Sequence, residues 1–278
     1  MGWLILYVAV GLAAASALVV GVNRWRFDRR VIREMRSLFD VALAPLPRAV
    51  LSGLPAPVSR YRELAVGPRT PARTLKMRHG GTFCTSPAAR PQAIHGTQMF
   101  TADPPGFVWT GRIRMAPGVW IDARDMTSGG KGSMRVLLDD TVTLADARGP
   151  ALDQGSALRL LAEMPWYPTA LFDSRFVTWE PIDDARARST LTIDGTTVSG
   201  VFEFGPDGLP AHMTGQRFTD RGDLVPWGGV YRDYRRVSGM LVPFEVEVSW
   251  QLESGPFTYA HWMIESMEYD EPRWARTR

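Results

Sequence analysis

The chain has 278 residues, of which 45% are hydrophobic and 22% charged, and its formal net charge is +3. A nucleic-acid-binding protein would need a basic stripe with interleaved aromatic residues through its folded part, yet acidic residues outnumber basic ones from Leu137 to Asp184. We therefore exclude a nucleic-acid partner. Beyond the first two dozen residues roughly 250 remain, enough for one large domain or two small ones with a proper core.

The N-terminal residues form an uncharged apolar run. No charged side chain occurs from Gly2 to Val22, and as a helix rising about 1.5 Å per residue this run reaches roughly 30 Å, enough to cross the hydrocarbon core of a bilayer. A cleaved signal peptide is the main alternative, but it would need a positively charged start, a shorter apolar centre and a small-residue cleavage site. The run continues instead into Asn23-Arg24-Trp25-Arg26. We predict a transmembrane anchor over residues 1–23.

The orientation of this anchor is predicted from the basic residues that follow it. They are Arg24, Arg26, Arg29, Arg30 and Arg33. Because basic residues beside a first helix tend to stay in the cytoplasm, we expect a single-pass protein of the cell membrane with its large domain in the cytoplasm. An extracytoplasmic domain is the alternative. The same cluster predicts contact with anionic lipid headgroups, whereas the single cysteine, Cys84, excludes an intramolecular disulfide without separating the two compartments.

Two helical segments are predicted to form a neck over residues 24–68. An amphipathic helix from Arg24 to Leu43 continues the anchor, and its apolar residues recur at three- and four-residue spacing. They are Val31, Ile32, Met35, Leu38, Phe39 and Ala42. Pro45 and Pro47 end this helix, and a shorter helix begins near Leu54 and ends at Gly67-Pro68.

From Leu75 the pattern changes to short runs of aromatic and β-branched residues separated by turn residues, which is typical of strands. The predicted strands are residues 97–101, 106–115, 119–125, 132–138, 142–145, 176–179, 189–193, 197–204, 208–218, 229–237, 241–251 and 259–267. Asp194-Gly195 and Pro206-Asp207-Gly208 predict hairpin turns. Because the connections are too short for helical crossovers, the sheet is predicted to be antiparallel.

One predicted helix interrupts these strands. It begins at Asp153 and ends before Pro165, and a second turn follows from Thr169 to Phe172. Its apolar face consists of Ala157, Leu158, Leu160, Leu161 and Met164. About a dozen strands are more than a flat sheet carries comfortably. We therefore predict an α+β fold in which residues 69–278 form a strongly curled antiparallel half-barrel, with the mid-chain helix on its concave face.

The sequence lacks the local patterns of metal, nucleophile and phosphate chemistry. The four histidines have no helical or hairpin spacing to one another; they are His79, His95, His212 and His261. There is no G-x-S-x-G elbow, and Gly129-Gly130-Lys131-Gly132-Ser133 departs from the phosphate-loop pattern and is better explained as a β-turn. We predict no metal, no cofactor and no catalytic residue.

An acidic residue and several tryptophans are the candidate site residues. Glu163 lies at the end of an otherwise apolar helix, so it either faces the interior and needs a partner, for which Arg217 and Arg124 are candidates, or it is solvated at the rim. The tryptophans are either core residues or the lining of a pocket, because a curled sheet closed by one helix tends to leave an apolar space. The candidate ligand-binding residues are Trp109, Arg124, Glu163, Trp166, Trp179, Arg217 and Trp227.

Several segments together resemble a family of uncharacterised bacterial membrane-anchored proteins, a domain of unknown function. They are residues 104–109, 123–125, 130–134, 161–171, 177–183 and 226–229. Their order covers nearly all of the chain after Leu54, and the resemblance implies no activity. More distantly, the half-barrel with an inserted helix is similar to the LolA and LolB lipoprotein carriers, which bind acyl chains. That similarity is a fold-level analogy and does not imply the same function.

Three function classes follow from these observations. The leading hypothesis is a membrane-anchored module that binds an apolar ligand, a lipid or an acyl chain, in the concavity of the half-barrel. The second is an enzyme that acts on such a ligand with Glu163 and an arginine. The third is a structural or protein-interaction domain with a filled core. The absence of a recognisable nucleophile or metal set lowers the enzyme hypothesis, and the sequence leaves the oligomeric state open.

Overall fold

The computed structural model describes residues 1–42, 52–66, 72–219 and 221–270. The helices are α1 (Gly2–Ala42), α2 (Ala56–Ala65) and α3 (Pro150–Glu163), followed by two 3-10 turns, Met164–Trp166 and Pro168–Phe172. The strands are β1 Thr74–Phe83, β2 Gln92–Ala102, β3 Pro105–Ala116, β4 Val119–Ser128, β5 Lys131–Leu138, β6 Val142–Arg148, β7 Val177–Pro181, β8 Arg186–Ile193, β9 Thr196–Phe204, β10 Pro210–Phe218, β11 Leu224–Val237, β12 Met240–Leu252 and β13 Gly255–Tyr269.

All 13 strands belong to one antiparallel sheet, in the order β6-β5-β4-β3-β2-β1-β13-β12-β11-β10-β9-β8-β7. Strands β1 to β6 form one meander and β7 to β13 another, and the two are joined in the middle by pairing of β1 with β13. The predicted curled half-barrel is confirmed. Strand β1 was not among the predicted strands, and the hairpin turn at Asp194-Gly195 is present between β8 and β9.

Helix α3 lies inside the half-barrel and connects its two edge strands, β6 and β7. Its contacts reach β4 and β5 on one half and β9 and β10 on the other. The helix starts at Pro150, three residues before the predicted start, because proline is favoured in the first turn, where its missing N–H costs no hydrogen bond. Asp153 instead accepts a hydrogen bond of 2.7 Å from the Gly132 backbone N–H and pairs with Lys131 at 3.0 Å. This places the predicted β-turn at Gly129-Gly130, between β4 and β5, against the start of the helix.

The β4–β5 turn and the β8–β9 turn approach each other beside α3. The Thr196 hydroxyl, at the start of β9, donates to the Gly130 carbonyl oxygen at 2.9 Å. Helix α2 and the two 3-10 turns fill one end of the half-barrel, where Tyr61 packs against Phe172 and Phe204 with ring centroids 6.0 and 5.9 Å apart. The opposite end is left to the cavity described below.

Helix α1 continues without a break from the apolar run to the outer face of the sheet. Within the described residues it is the one helix long and apolar enough to cross a membrane. Beyond the apolar run its buried residues Val31, Met35 and Leu38 pack on Met99 of β2 and Val108 of β3. Both helices of the predicted neck thus pack on the half-barrel. The predicted helix ends at Pro45, Pro47 and Gly67-Pro68 lie outside the described residues.

Candidate functional site

A cavity of about 660 Å³ lies between helix α3 and the concave face of the sheet. Its volume is within the range of roughly 300–1,000 Å³ that is usual for small-ligand pockets. One wall is formed by α3 and the 3-10 turn after it, from Ala151 to Trp166, and the other walls are inward-facing side chains of both meanders. The cavity wall is continuous with the main core, because Trp109, Trp166, Trp227 and Trp262 belong to both.

Aromatic and aliphatic side chains make up most of the lining. The aromatic members are Phe83, Trp109, Trp166, Phe218, Trp227, Tyr231, Trp250, Phe257, Tyr259 and Trp262. Along β11 the inward positions are Trp227, Gly229 and Tyr231, because side chains alternate between the two faces of a strand. A Cβ atom at Gly229 would meet no atom closer than 3.5 Å. A Cβ atom would thus make ordinary van der Waals contact there with Val246 and Tyr231, and the glycine adds no side chain to the cavity wall.

A cluster of four polar residues fastens α3 to the sheet at the cavity wall. Arg159 donates to Glu163 Oε1 at 2.8 Å, to Asp125 Oδ2 of β4 at 2.9 Å and to Gln98 Oε1 of β2 at 3.1 Å. The Gln98 amide in turn donates to Glu163 Oε2 at 2.7 Å. The guanidinium also lies 4.8 Å from the ring centre of Phe107 and 5.0 Å from that of Trp109. Every member is paired, as burial of charged groups requires.

Burial acts on the pKa values of Glu163 and Arg159 in this cluster. Burial raises the pKa of Glu163, and the opposing effects of Arg159 and Gln98 do not cancel it. Burial alone would lower the pKa of Arg159, but the carboxylates of Glu163 and Asp125 outweigh it and raise this pKa, so the guanidinium stays charged. Behind Trp109, burial lowers the pKa of His79 to about 4. His79 is therefore neutral near pH 7, and its Nε2 accepts a hydrogen bond of 2.8 Å from the Trp109 indole.

The mouth of the cavity is marked by the lining residues that are exposed to solvent. They are Thr85, Ala147, Arg148 and Ala151, with Phe218, Thr219 and Phe257 half-buried beside them. Arg217 borders the same opening. Its guanidinium carbon lies 4.9 Å from the ring centre of Trp227 and 5.7 Å from that of Trp250, and its Nη1 donates to the Tyr259 hydroxyl at 3.4 Å. The opening thus combines alanine and phenylalanine side chains with two threonines and two arginines.

Comparison with known proteins places the chain in a family. Residues 45–262 match the model of a family of unknown function, DUF6544. The chain belongs to the DUF6544 family. A search of curated proteins finds no match.

Two solved structures resemble this DUF6544 chain in part. One is a LolA superfamily protein from Nitrosomonas europaea, with 13% identity, a TM-score of 0.40, and coverage of 80% of this chain and 96% of that chain. The other is a β-barrel-like protein of a domain of unknown function from Brucella abortus, with 9% identity, a TM-score of 0.29, and coverage of 73% and 100%. The family of unknown function and the distant LolA likeness both agree with the resemblance drawn from the sequence.

Five of the seven candidate residues line the cavity of this DUF6544 protein: Trp109, Glu163, Trp166, Arg217 and Trp227. The other two lie elsewhere. Trp179 packs against Phe202 and Phe204 and donates to the Leu171 carbonyl. Arg124 binds Glu34 of α1 at 2.9 Å on the outer face of the sheet.

The partner of Glu163 differs from the two that the sequence suggested. Neither Arg217 nor Arg124 reaches it, and Arg159, one helical turn earlier, takes that place. The i,i+4 spacing of Arg159 and Glu163 was the available signal. Asp125 and Gln98 carry no such signal, because only the register of β4 and β2 brings them to the helix.

Proposed function

We propose that the protein binds one apolar ligand, a lipid or another molecule with an acyl chain, in the cavity between α3 and the sheet, and does so at a membrane. The observation that carries this proposal is the open, mainly apolar cavity of about 660 Å³ with a defined mouth. A purely structural domain would be expected to fill such a space with side chains, since protein interiors are close-packed. Gly229 lines the cavity between Trp227 and Tyr231, and it favours the binding hypothesis because a larger side chain there would take up part of the space.

The position of α1 supports loading from a membrane. The side chain of Asn23, directly after the apolar run, donates to Thr141 in the β5–β6 turn. Thr141 directly precedes β6, and the last residues of that strand, Ala147 and Arg148, lie at the mouth. The apolar run therefore leaves the half-barrel beside a strand that borders the cavity opening.

An anchor fits α1 better than a cleaved signal peptide does. The helix runs unbroken past residue 22, and its later residues are buried against the sheet. The arginines after the apolar run favour a cytoplasmic half-barrel, and the extracytoplasmic arrangement is the alternative.

The enzyme hypothesis gains little from the geometry of Glu163. Both carboxylate oxygens accept hydrogen bonds, from Arg159 and from Gln98. These two contacts tie Glu163 to the sheet through Gln98 and to the turn before it through Arg159, as a structural role requires. We therefore interpret the cluster as a set of structural contacts that hold α3 against the sheet, and not as a general acid or base.

Photo-crosslinking of the full chain in membranes tests the binding proposal. An uncharged acyl probe with a diazirine near its chain end should label cavity residues on β11 to β13 as well as the apolar run of α1, which serves as an internal reference. Gly229→Leu should reduce cavity labelling by filling the space between Trp227 and Tyr231. Val230→Leu, the adjacent outward position, is the matched control and should leave labelling unchanged. Labelling confined to α1 in the wild-type chain would overturn the proposal.

A further inference from the structure

Arg217 is a positioned cation at the mouth of the cavity without an acidic partner. Among the described residues no carboxylate forms an ion pair with it. Its guanidinium group is held over the rings of Trp227 and Trp250 and against Tyr259. Helix α3 approaches it at Gly155, where a Cβ atom would stand 3.1 Å from Arg217 Nε. The arginine is thus fixed in place by aromatic and backbone contacts rather than by a counter-ion.

Tyr259 adds a second donor beside Arg217. Its oxygen accepts hydrogen bonds from the Trp227 indole at 3.1 Å and from Arg217 Nη1 at 3.4 Å. Within the described part of the chain its own O–H proton has no acceptor. Guanidinium and phenol donors therefore converge on one side of the opening.

The carboxylates in the cavity wall are paired with an arginine, whereas the arginines at the mouth have no acidic neighbour in the lining. The two carboxylates in its wall, Asp125 and Glu163, are both bound by Arg159. At the mouth, Arg217 and the exposed Arg148 are both cationic, and no acidic side chain lines the opening among the described residues. A ligand that enters tail first would leave its polar end beside two arginines. An anionic end is stabilised there, because charge-assisted hydrogen bonds to guanidinium are the strong ones.

We propose that the ligand is an anionic amphiphile, with its acyl chain in the cavity and its carboxylate or phosphate held by Arg217 and Tyr259 at the mouth. This inference rests on the proposed function and goes further by naming the head group. Fatty acids and anionic phospholipids share this chemistry.

The test compares charged and uncharged probes with the same acyl chain in membranes that contain the full protein. One pair is a diazirine fatty acid and its methyl ester, at a pH at which the acid is ionised; the other is diazirine phosphatidylglycerol and diazirine phosphatidylcholine. In the wild-type chain the anionic member of at least one pair should label the cavity about tenfold more than its partner, as expected for hydrogen bonds to a charged group. Preference in the first pair identifies a fatty acid, and preference in the second identifies a phospholipid.

Arg217→Gln should reduce that ratio to near one while labelling by the uncharged methyl ester persists, which also shows that the variant is folded. Tyr259→Phe should reduce the ratio in part. Arg188→Gln removes the same charge from an exposed position of β8 and should change nothing. Equal labelling by charged and uncharged probes, or an unchanged ratio in Arg217→Gln, would refute the anionic head group. The proposal that the cavity binds an apolar ligand would not be affected. No cavity labelling by any probe would instead refute the proposed function.

Discussion

Arg159 of helix α3 and Asp125 of strand β4 form an ion pair of 2.9 Å across the interior of the half-barrel. Their side chains are only 14% and 4% exposed. With Gln98 and Glu163 this pair fixes the rotation of α3 about its axis. The cavity wall that runs from Ala151 to Trp166 depends on that rotation.

Removal of Arg159 should therefore destabilise the protein strongly. Arg159→Met leaves two buried carboxylates without their cation, and such a loss costs about 3–5 kcal/mol in the free energy of unfolding. Urea denaturation of the full chain, followed by tryptophan fluorescence, measures it. Adding Asp125→Asn and Glu163→Gln to Arg159→Met should restore part of the loss. Arg232→Met, at an exposed pair with Glu247 on the outer face, is the control and should have little effect. If the free energy of unfolding of Arg159→Met is only slightly lower than that of the wild-type chain, water reaches the two carboxylates and the prediction is wrong.

His79 should make the protein less stable in acid. Its pKa is about 4 in the folded chain against 6.5 for a free histidine. The unfolded state then binds more protons between these values, so the free energy of unfolding falls as the pH falls from about 6.5 to 4, by on the order of 3 kcal/mol.

His79→Gln isolates this effect, because glutamine does not titrate and can still accept from Trp109. The difference between the two unfolding curves removes the contribution of Asp140, whose pKa burial raises to about 6 and which acts in the opposite direction. His212→Gln, at an exposed site of β10, is the matched control. Parallel pH profiles for the wild-type chain and His79→Gln would contradict the prediction.

Helix α1 should remain docked on the sheet beyond the apolar run. Met35 is 1% exposed, and Met→Ala in such a site costs about 2–5 kcal/mol. Met35→Ala should therefore speed amide hydrogen exchange over residues 31–42. Val41→Ala, at a position 52% exposed, should not. Exchange that is already fast in the wild-type chain would show that the contact with Met99 and Val108 is weak.

The half-barrel is expected to lie in the cytoplasm because of the arginines that follow Val22. Reporters that are active on one side of the membrane only, fused to the C-terminus, measure this. We expect activity from the cytoplasmic reporter. Activity from the exported reporter alone would place the cavity mouth on the other side of the bilayer, without altering the argument for its contents.

Most of the sheet could be predicted from the sequence because the strands alternate apolar and polar residues between clear turns. Strand β1 escaped prediction because Lys76, Arg78 and the pair Gly80-Gly81 disturb its alternation, and a bulge between Arg78 and His79 shifts its register with β13.

The candidate site was harder to predict because it depends on which face of a strand each residue occupies. Arg124 and Asp125 are neighbours in sequence, but alternation turns Asp125 to the cavity and Arg124 to Glu34 of α1. Their sequence context does not say which of the two points inward. Arg159 lies in an apolar helix, and its role as the partner of buried groups follows only from its contacts with Asp125 and Gln98 in the folded chain.

The seam between the two meanders has a consequence for the timing of folding. Leu75 of β1 pairs with Tyr269 of β13. Strand β1 at the edge of the first meander therefore stays unpaired on that side until the last strand has been synthesised. Contacts so distant in sequence form slowly, and an open strand edge is a template for aggregation. The first six strands emerge from the ribosome long before that edge can be covered. A chain that stops before β13 leaves β1 without its partner on that side, so we expect truncated chains to aggregate through the exposed edge of β1.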